Sequence, residues 1–215
     1  MMKDESTPPR STREQALDLA YELVRRELAG IADIEAQCRK SGARYEAPAR
    51  AVLDYLGRAY VITVPDASVA LLEGGEEAPL KDKVLLLQYF TKAEGTPLSG
   101  RLITFKQLPG CASYAPVFDL LATNPIVGFF GSDPDRLVDA AEKLGGRRAG
   151  HADVSVVLNL FSRVPFTVAL WRGDDEFDPR GTIMFDSTIT DYLSIEGIRD
   201  VGGAVARRLI SLAKQ

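Results

Sequence analysis

Val154-Ser155-Val156-Val157-Leu158-Asn159-Leu160-Phe161, followed through Arg163-Val164-Pro165 by Phe166-Thr167-Val168-Ala169-Leu170, is the stretch on which the fold turns. Val154, Val156, Leu158 and Leu160 alternate with Ser155, Val157, Asn159 and Phe161, the two-residue period of a strand. Arg163-Val164-Pro165 predicts a turn, and Phe166, Val168 and Leu170 return as a second strand. Thr182 to Phe185 read as a third. Ile198, Val201, Val205, Leu209 and Leu212 then recur at helical spacing, which predicts a closing helix over about 195–213. Strands joined by tight turns pair antiparallel.

Toward the N-terminus the signals alternate between helix and hairpin. Ser11 and Glu14 have capping-box spacing. Ala16, Leu17, Ala20, Leu23, Val24 and Leu28 then give an amphipathic helix over about 12–29, ended by Gly30. A second short helix is expected over 31–40, stopped by Ser41-Gly42. Tyr60, Ile62 and Val64, a turn at 65–68, and Val69 to Leu72 read as a β-hairpin followed by an exposed loop at 73–78. Pro79 opens a helix over 80–93 with Gly95 beyond its end. A buried strand over Val84–Phe90 competes, but the run exceeds ten residues and carries capping signals at both ends.

Pro97 to Gly100 turn the chain into a strand over Leu102–Phe105. A helix over 113–122 is expected to break at Asn124-Pro125. Asp133 caps the next helix with Pro134 at its first position, and Gly145-Gly146 end it. The order ααββαβααβββα predicts an α+β fold: a mostly antiparallel sheet with helices packed on it, a helical N-terminus and a C-terminal helix. Residues 1–11 read as a disordered tail, and 12–215 as a single α+β domain.

Composition narrows the function. With 46% hydrophobic residues and a net charge of only −4, the chain has neither mark of a disordered protein. The mild acidity lacks the electrostatic footprint of a nucleic-acid binder, and the basic doublets Arg25-Arg26, Arg147-Arg148 and Arg207-Arg208 read as solvated helix ends or faces. No apolar run approaches a membrane span. Cys38 and Cys111 are too few for a disulfide framework or for a four-thiolate iron–sulfur cluster. These features predict a cytoplasmic protein with reduced thiols, and neither nucleic acid nor membrane as partner.

The candidate chemistry is sparse. Trp171-Arg172-Gly173-Asp174-Asp175-Glu176-Phe177-Asp178 is the most unusual segment. Asp174, Glu176 and Asp178 have the i, i+2, i+4 spacing of a calcium loop, which makes them candidate metal ligands. Pro179 then stands where the tight-turn glycine belongs, and Phe185 where the bidentate glutamate belongs. A solvated loop is the alternative. Asp186 follows a strand and is placed to cap a short helix over 187–193; Asp191 and Glu196 lie downstream. His151 is the sole histidine, which rules out two-histidine metal motifs, and no GxSxG, GxGxxG or GxxxxGK[ST] occurs. Gly145-Gly146-Arg147-Arg148 ends a helix, the wrong polarity for phosphate. Trp171, Tyr89, Phe90, Tyr114, Phe118 and Phe129-Phe130 are expected mostly in the core, a few of them lining a pocket.

Two stretches carry a resemblance. One runs from Leu87-Gln88-Tyr89-Phe90 through Pro97-Leu98-Ser99-Gly100-Arg101 to Phe105, Leu108-Pro109-Gly110 and Tyr114. The other runs from Val164-Pro165 through Leu170-Trp171, Gly173-Asp174, Glu176-Phe177 and Phe185-Asp186 to Tyr192-Leu193. Together they resemble an uncharacterised family of anaerobic bacteria and archaea, a domain of unknown function, over roughly residues 13–212. Some members carry an additional iron–sulfur domain like that of corrinoid proteins, which this chain, with only two cysteines, is not expected to carry. The resemblance implies a context of anaerobic redox or corrinoid metabolism, and it implies no catalytic signature.

With no nucleophile–base pair and no phosphate loop, the first expectation is a non-enzymatic accessory protein. It would bind a small molecule, cofactor or partner protein through Trp171, Asp174, Glu176 and Asp186. A carboxylate-based enzyme, with or without a divalent cation, is the second reading. A structural or oligomerising protein without ligand is the third.

Overall fold

The computed structural model describes residues 12–215. The fold is α+β, with antiparallel strands, an N-terminal helix and a C-terminal helix. Helices α1 (Thr12–Ala29), α2 (Ile34–Ser41) and α3 (Leu80–Lys92) bracket a first sheet. That sheet holds β1 (Arg44–Glu46), β2 (Arg50–Tyr55), β3 (Arg58–Thr63) and β4 (Ser68–Leu71), each paired with the next. Then come β5 (Leu102–Thr104), a 3-10 turn, α4 (Ala115–Phe118), a π turn (Asp119–Thr123), α5 (Asn124–Phe130) and α6 (Asp135–Glu142). The chain closes with β6 (Arg147–Ala149), β7 (Val154–Phe161), β8 (Val164–Trp171), β9 (Arg180–Asp186) and α7 (Ile195–Ala213). The second sheet has the order β5-β9-β8-β7-β6.

The helix at 80–92 forms as its length predicts. Its last carbonyls are satisfied from outside: the Gln37 amide of α2 donates to the carbonyls of Phe90 at 2.6 Å and Ala93 at 3.0 Å. Gly42 closes α2 in the left-handed region at φ 72°, and a Cβ there would lie 2.8 Å from Ser162. Only glycine fits that approach of α2 to the β7–β8 turn.

The structure corrects several expectations. Three short strands, β1, β2 and β6, were not legible, and they split the antiparallel strands between two sheets. The β7–β8 turn is Ser162-Arg163 alone; Val164 and Pro165 already pair in β8, with Pro165 opposite Asn159 where the register shifts. Proline is tolerated at such an irregularity. Asn124-Pro125 does not break the helix. A π turn over Asp119–Thr123 precedes it, with the Asn124 amide donating to the Asp119 carbonyl, and the chain stays helical to Phe130. Asp133 makes no side-chain cap, and Pro134 occupies the cap position. Ala78, at the end of the expected exposed loop, is buried. The tail at 1–11 and Ser11 of the capping box lie outside the described residues.

The two sheets meet at one end. The Leu56 amide, just past β2, donates to the Leu160 carbonyl of β7 at 3.3 Å. Tyr55 stacks on Phe161 at 4.9 Å between centroids, Phe161 on Tyr89 at 3.9 Å, and Tyr89 faces Tyr192 at 6.1 Å. Buried side chains from both sheets join one hydrophobic cluster. On the other side α7 packs against the π turn, where a Cβ on Gly202 would meet Phe118 at 2.7 Å.

Candidate functional site

The residues singled out in the sequence do not gather. Trp171 ends β8 at 38% exposure. Asp174 spends one carboxylate oxygen closing its own loop, accepting from the amides of Glu176 at 2.9 Å and Phe177 at 2.8 Å. Those two bonds hold its carboxyl below the ordinary range. Glu176 and Asp178 are exposed. Asp186 stands at the opposite end of β9, and Arg180 to Asp186 is about 20 Å of extended strand. Among the described residues, no group of three or more His, Cys, Asp or Glu is arranged to hold a metal ion.

Asp186 is a junction of the fold. Its buried carboxylate accepts from the Ser99 amide and hydroxyl at 3.1 and 2.9 Å, and from the Gly100 amide at 2.7 Å. The Thr188 amide and hydroxyl add bonds at 3.0 and 2.8 Å. Burial alone pushes the carboxyl up; the bonds from Thr188 and Ser99 outweigh it and bring it to about 2. The expected helix over 187–193 is only a 3-10 turn at Ile189–Asp191. His151 is exposed, and its backbone amide donates to Ser155 Oγ at 3.0 Å. Both thiols are buried and unpaired, and burial pushes Cys38 up to about 11 with Glu35 adding to it.

A different set of groups converges between the first sheet and α7. The β2–β3 hairpin turns through Leu56 (φ 48°) and Gly57 (φ 74°), both left-handed, which fits the twist of a two-residue turn. This turn places Tyr55, Leu56, Arg58 and Tyr60 on one wall. Ala204, Arg207, Arg208 and Ser211 recur at i, i+3, i+4 and i+7 along α7 and make the other wall. Asp82, from the first turn of α3, is set between them. The cleft holds about 310 Å³.

Its electrostatics are only partly spent: Arg58 hydrogen-bonds the Tyr60 hydroxyl, and Arg207 draws on Asp82. Among the described residues no ion pair engages Arg58, Arg207 or Arg208, a state they share with Arg101, Arg147 and Arg180 elsewhere on the chain, whereas Arg39, Arg44, Arg148 and Arg172 are paired. Tyr55 is 3% exposed, and its hydroxyl is a buried side-chain polar atom with no hydrogen-bond partner. Burial above all, then the neighbouring Asp82, pushes that hydroxyl far up, so it stays a donor. Burial also pushes Asp82 up, against the pull of Lys81 and Arg207. An orphaned buried hydroxyl costs about 1–3 kcal/mol. Left-handed backbone at a bulky residue such as Leu56 costs about 1–2 kcal/mol more. Both costs fall on the same wall of one cleft.

Two other hollows are less pointed. One of about 290 Å³ is lined by Phe105, Cys111, Tyr114, Glu196 and Arg199 among others. One of about 420 Å³ lies between α1, α3 and the start of α7. Neither contains an orphaned buried polar atom. Sequence reading missed the cleft between the hairpin and α7 because its residues come from three separated elements, and Arg207-Arg208 read as a solvated doublet. The one signal available was their i, i+3, i+4 alignment with Ala204 on the same helix.

Among the described residues no helix is long and apolar enough to cross a membrane. No curated protein and no solved structure matches the chain. Residues 33–208, which include every residue of the cleft but Ser211, match the family described as Domain of unknown function (DUF3786). The chain belongs to that family.

Proposed function

We propose that this chain is a binding protein for a small anionic ligand, held in the cleft between the β2–β3 hairpin and α7. The observation that carries the reading is the convergence of Arg58, Arg207 and Arg208, all without ion-pair partners, on one cleft, whose wall includes Tyr55 with its unpartnered hydroxyl buried beneath the surface. Guanidinium forks grip carboxylate and phosphate through paired N–H donors. A chain of net charge −4 repels anions at long range, so a local excess of cations marks one address on its surface. The reading is of a cytoplasmic accessory protein that holds its ligand, and the resemblance to proteins of anaerobes suggests redox or corrinoid-linked metabolism as its setting.

Titration calorimetry with inorganic phosphate and with succinate tests this. Binding of either anion, lost when Arg207 and Arg208 are both replaced by Ala, supports the reading. Equal heats from the wild type and the double variant remove it.

A further inference from the structure

Resting on that reading, the chemistry of the lining narrows the ligand. We infer that the cleft takes a phosphomonoester whose carbon body carries hydroxyl groups.

Charge comes first. Three guanidiniums face one carboxylate, which leaves a surplus of about two positive charges. A phosphomonoester carries about −1.5 to −2 at neutral pH and presents three acceptor oxygens. A monocarboxylate would leave one guanidinium without a counter-charge, and its two oxygens are satisfied by one or two forks. The placement of the arginines agrees: Arg207 and Arg208 come from one helix and Arg58 from the opposing strand, so an anion between them is approached from two sides. A tetrahedral group with three terminal oxygens accepts that approach, and a planar group does not fill it.

Volume and polarity define the remainder. About 310 Å³ exceeds what a bare phosphate fills and lies at the small end of metabolite pockets. The rest of the lining alternates apolar and polar groups. The Tyr55 and Tyr60 rings, Leu56 and Ala204 can cover carbon, while Ser211 and Asp82 offer directional hydrogen bonds. Ser211 can donate, and an ionised Asp82 can only accept. A ligand hydroxyl suits both, accepting from Ser211 and donating to Asp82. A purely aliphatic tail would leave both groups buried against carbon, and a second anionic group would lie against Asp82.

The full chain is titrated calorimetrically with four probes: ribose 5-phosphate, inorganic phosphate, ribose and succinate. Ribose 5-phosphate is expected to bind at least tenfold more tightly than inorganic phosphate, and ribose alone to give no heat. Succinate binding more tightly than both phosphates would overturn the phosphomonoester assignment while the anion-binding reading stands. Equal affinity for ribose 5-phosphate and inorganic phosphate would overturn the hydroxylated body. Silence from all four probes would overturn this assignment and the anion-binding reading together.

Discussion

The acidic loop at 172–179 and the basic cleft at the β2–β3 hairpin are opposites in construction. The loop gathers its charges by sequence adjacency, and it closes on itself: Asp174 takes amides from its own loop, and its own amide donates to the Phe177 carbonyl at 2.9 Å. The neighbouring Arg172 is tied to Asp135 at 2.9 Å. The cleft gathers its charges across about 150 residues of chain, and none of its arginines is in an ion pair, though Arg58 hydrogen-bonds Tyr60. A cluster dense in sequence has local partners within reach and uses them. A cluster assembled only by folding can keep its hydrogen-bonding capacity for something else. Unspent capacity, more than local density of charge, separates a binding site from a well-made turn.

The largest effect that sharpens this contrast belongs to a third carboxylate, one spent wholly on the fold. Asp186→Ala removes the acceptor for five hydrogen bonds and is expected to destabilise the chain by about 3 kcal/mol, a loss of roughly 6–12 °C in Tm at this size. Because the folded carboxyl sits at about 2, below its unfolded value, its contribution is complete above pH of about 4. That contribution fades as pH falls toward 2. An acid melt of the variant should therefore lose less stability across that window than the wild type; a parallel loss would break the assignment.

Next comes the cleft itself. Replacing Arg207 and Arg208 together with Ala should weaken anion binding about a hundredfold, the loss of two charge-assisted contacts. The circular dichroism spectrum should not change, since Arg207 is exposed and Arg208 half-buried. Asp82→Asn works in the other direction. Removing the one anion in the cleft should tighten sulfate binding about threefold to tenfold at neutral pH. Sulfate keeps its charge between about pH 4 and 7, so wild-type affinity should rise as pH falls through the raised pKa of Asp82, and the variant should stay flat. Asp174→Ala gives the smallest effect expected: no change in anion affinity by calorimetry. A measurable loss there would erase the contrast between the two regions.

Tyr55→Phe tests what the cleft costs the fold. Deleting the unpartnered hydroxyl should raise the stability of the free protein by about 1 kcal/mol in a urea melt.

Much of the fold was legible because its long elements announce themselves. Strand β7 and helices α1 and α7, read from their periodicity, and α3, read from its length and capping signals, all form, although Ser155 and Phe161 on the other face of β7 are buried as well and Leu23 of α1 is exposed. The misses are short or hybrid. β1 and β6 have three residues each, too few to show a period. β2 reads Arg-Ala-Val-Leu-Asp-Tyr and is buried on both faces over Ala51–Leu53, so its pattern resembles a run and not an alternation. Asn124-Pro125 signals a break in any local reading; only the π turn ahead of it reveals that the helix survives. The cleft was illegible for a related reason. No window of sequence contains Arg58 and Arg208 together, and only the meeting of the hairpin with α7 makes them neighbours.

The lone tryptophan gives these regions separate voices. Trp171 ends β8 beside the acidic loop, while the cleft adjoins the other end of the same sheet, where Leu56 bonds to Leu160. Val164 to Trp171 is about 23 Å of strand. Indole fluorescence therefore reports on the loop, and the ultraviolet difference absorbance of Tyr55 and Tyr60 reports on the cleft. A single unlabelled sample carries two optical channels, one for each end of the sheet.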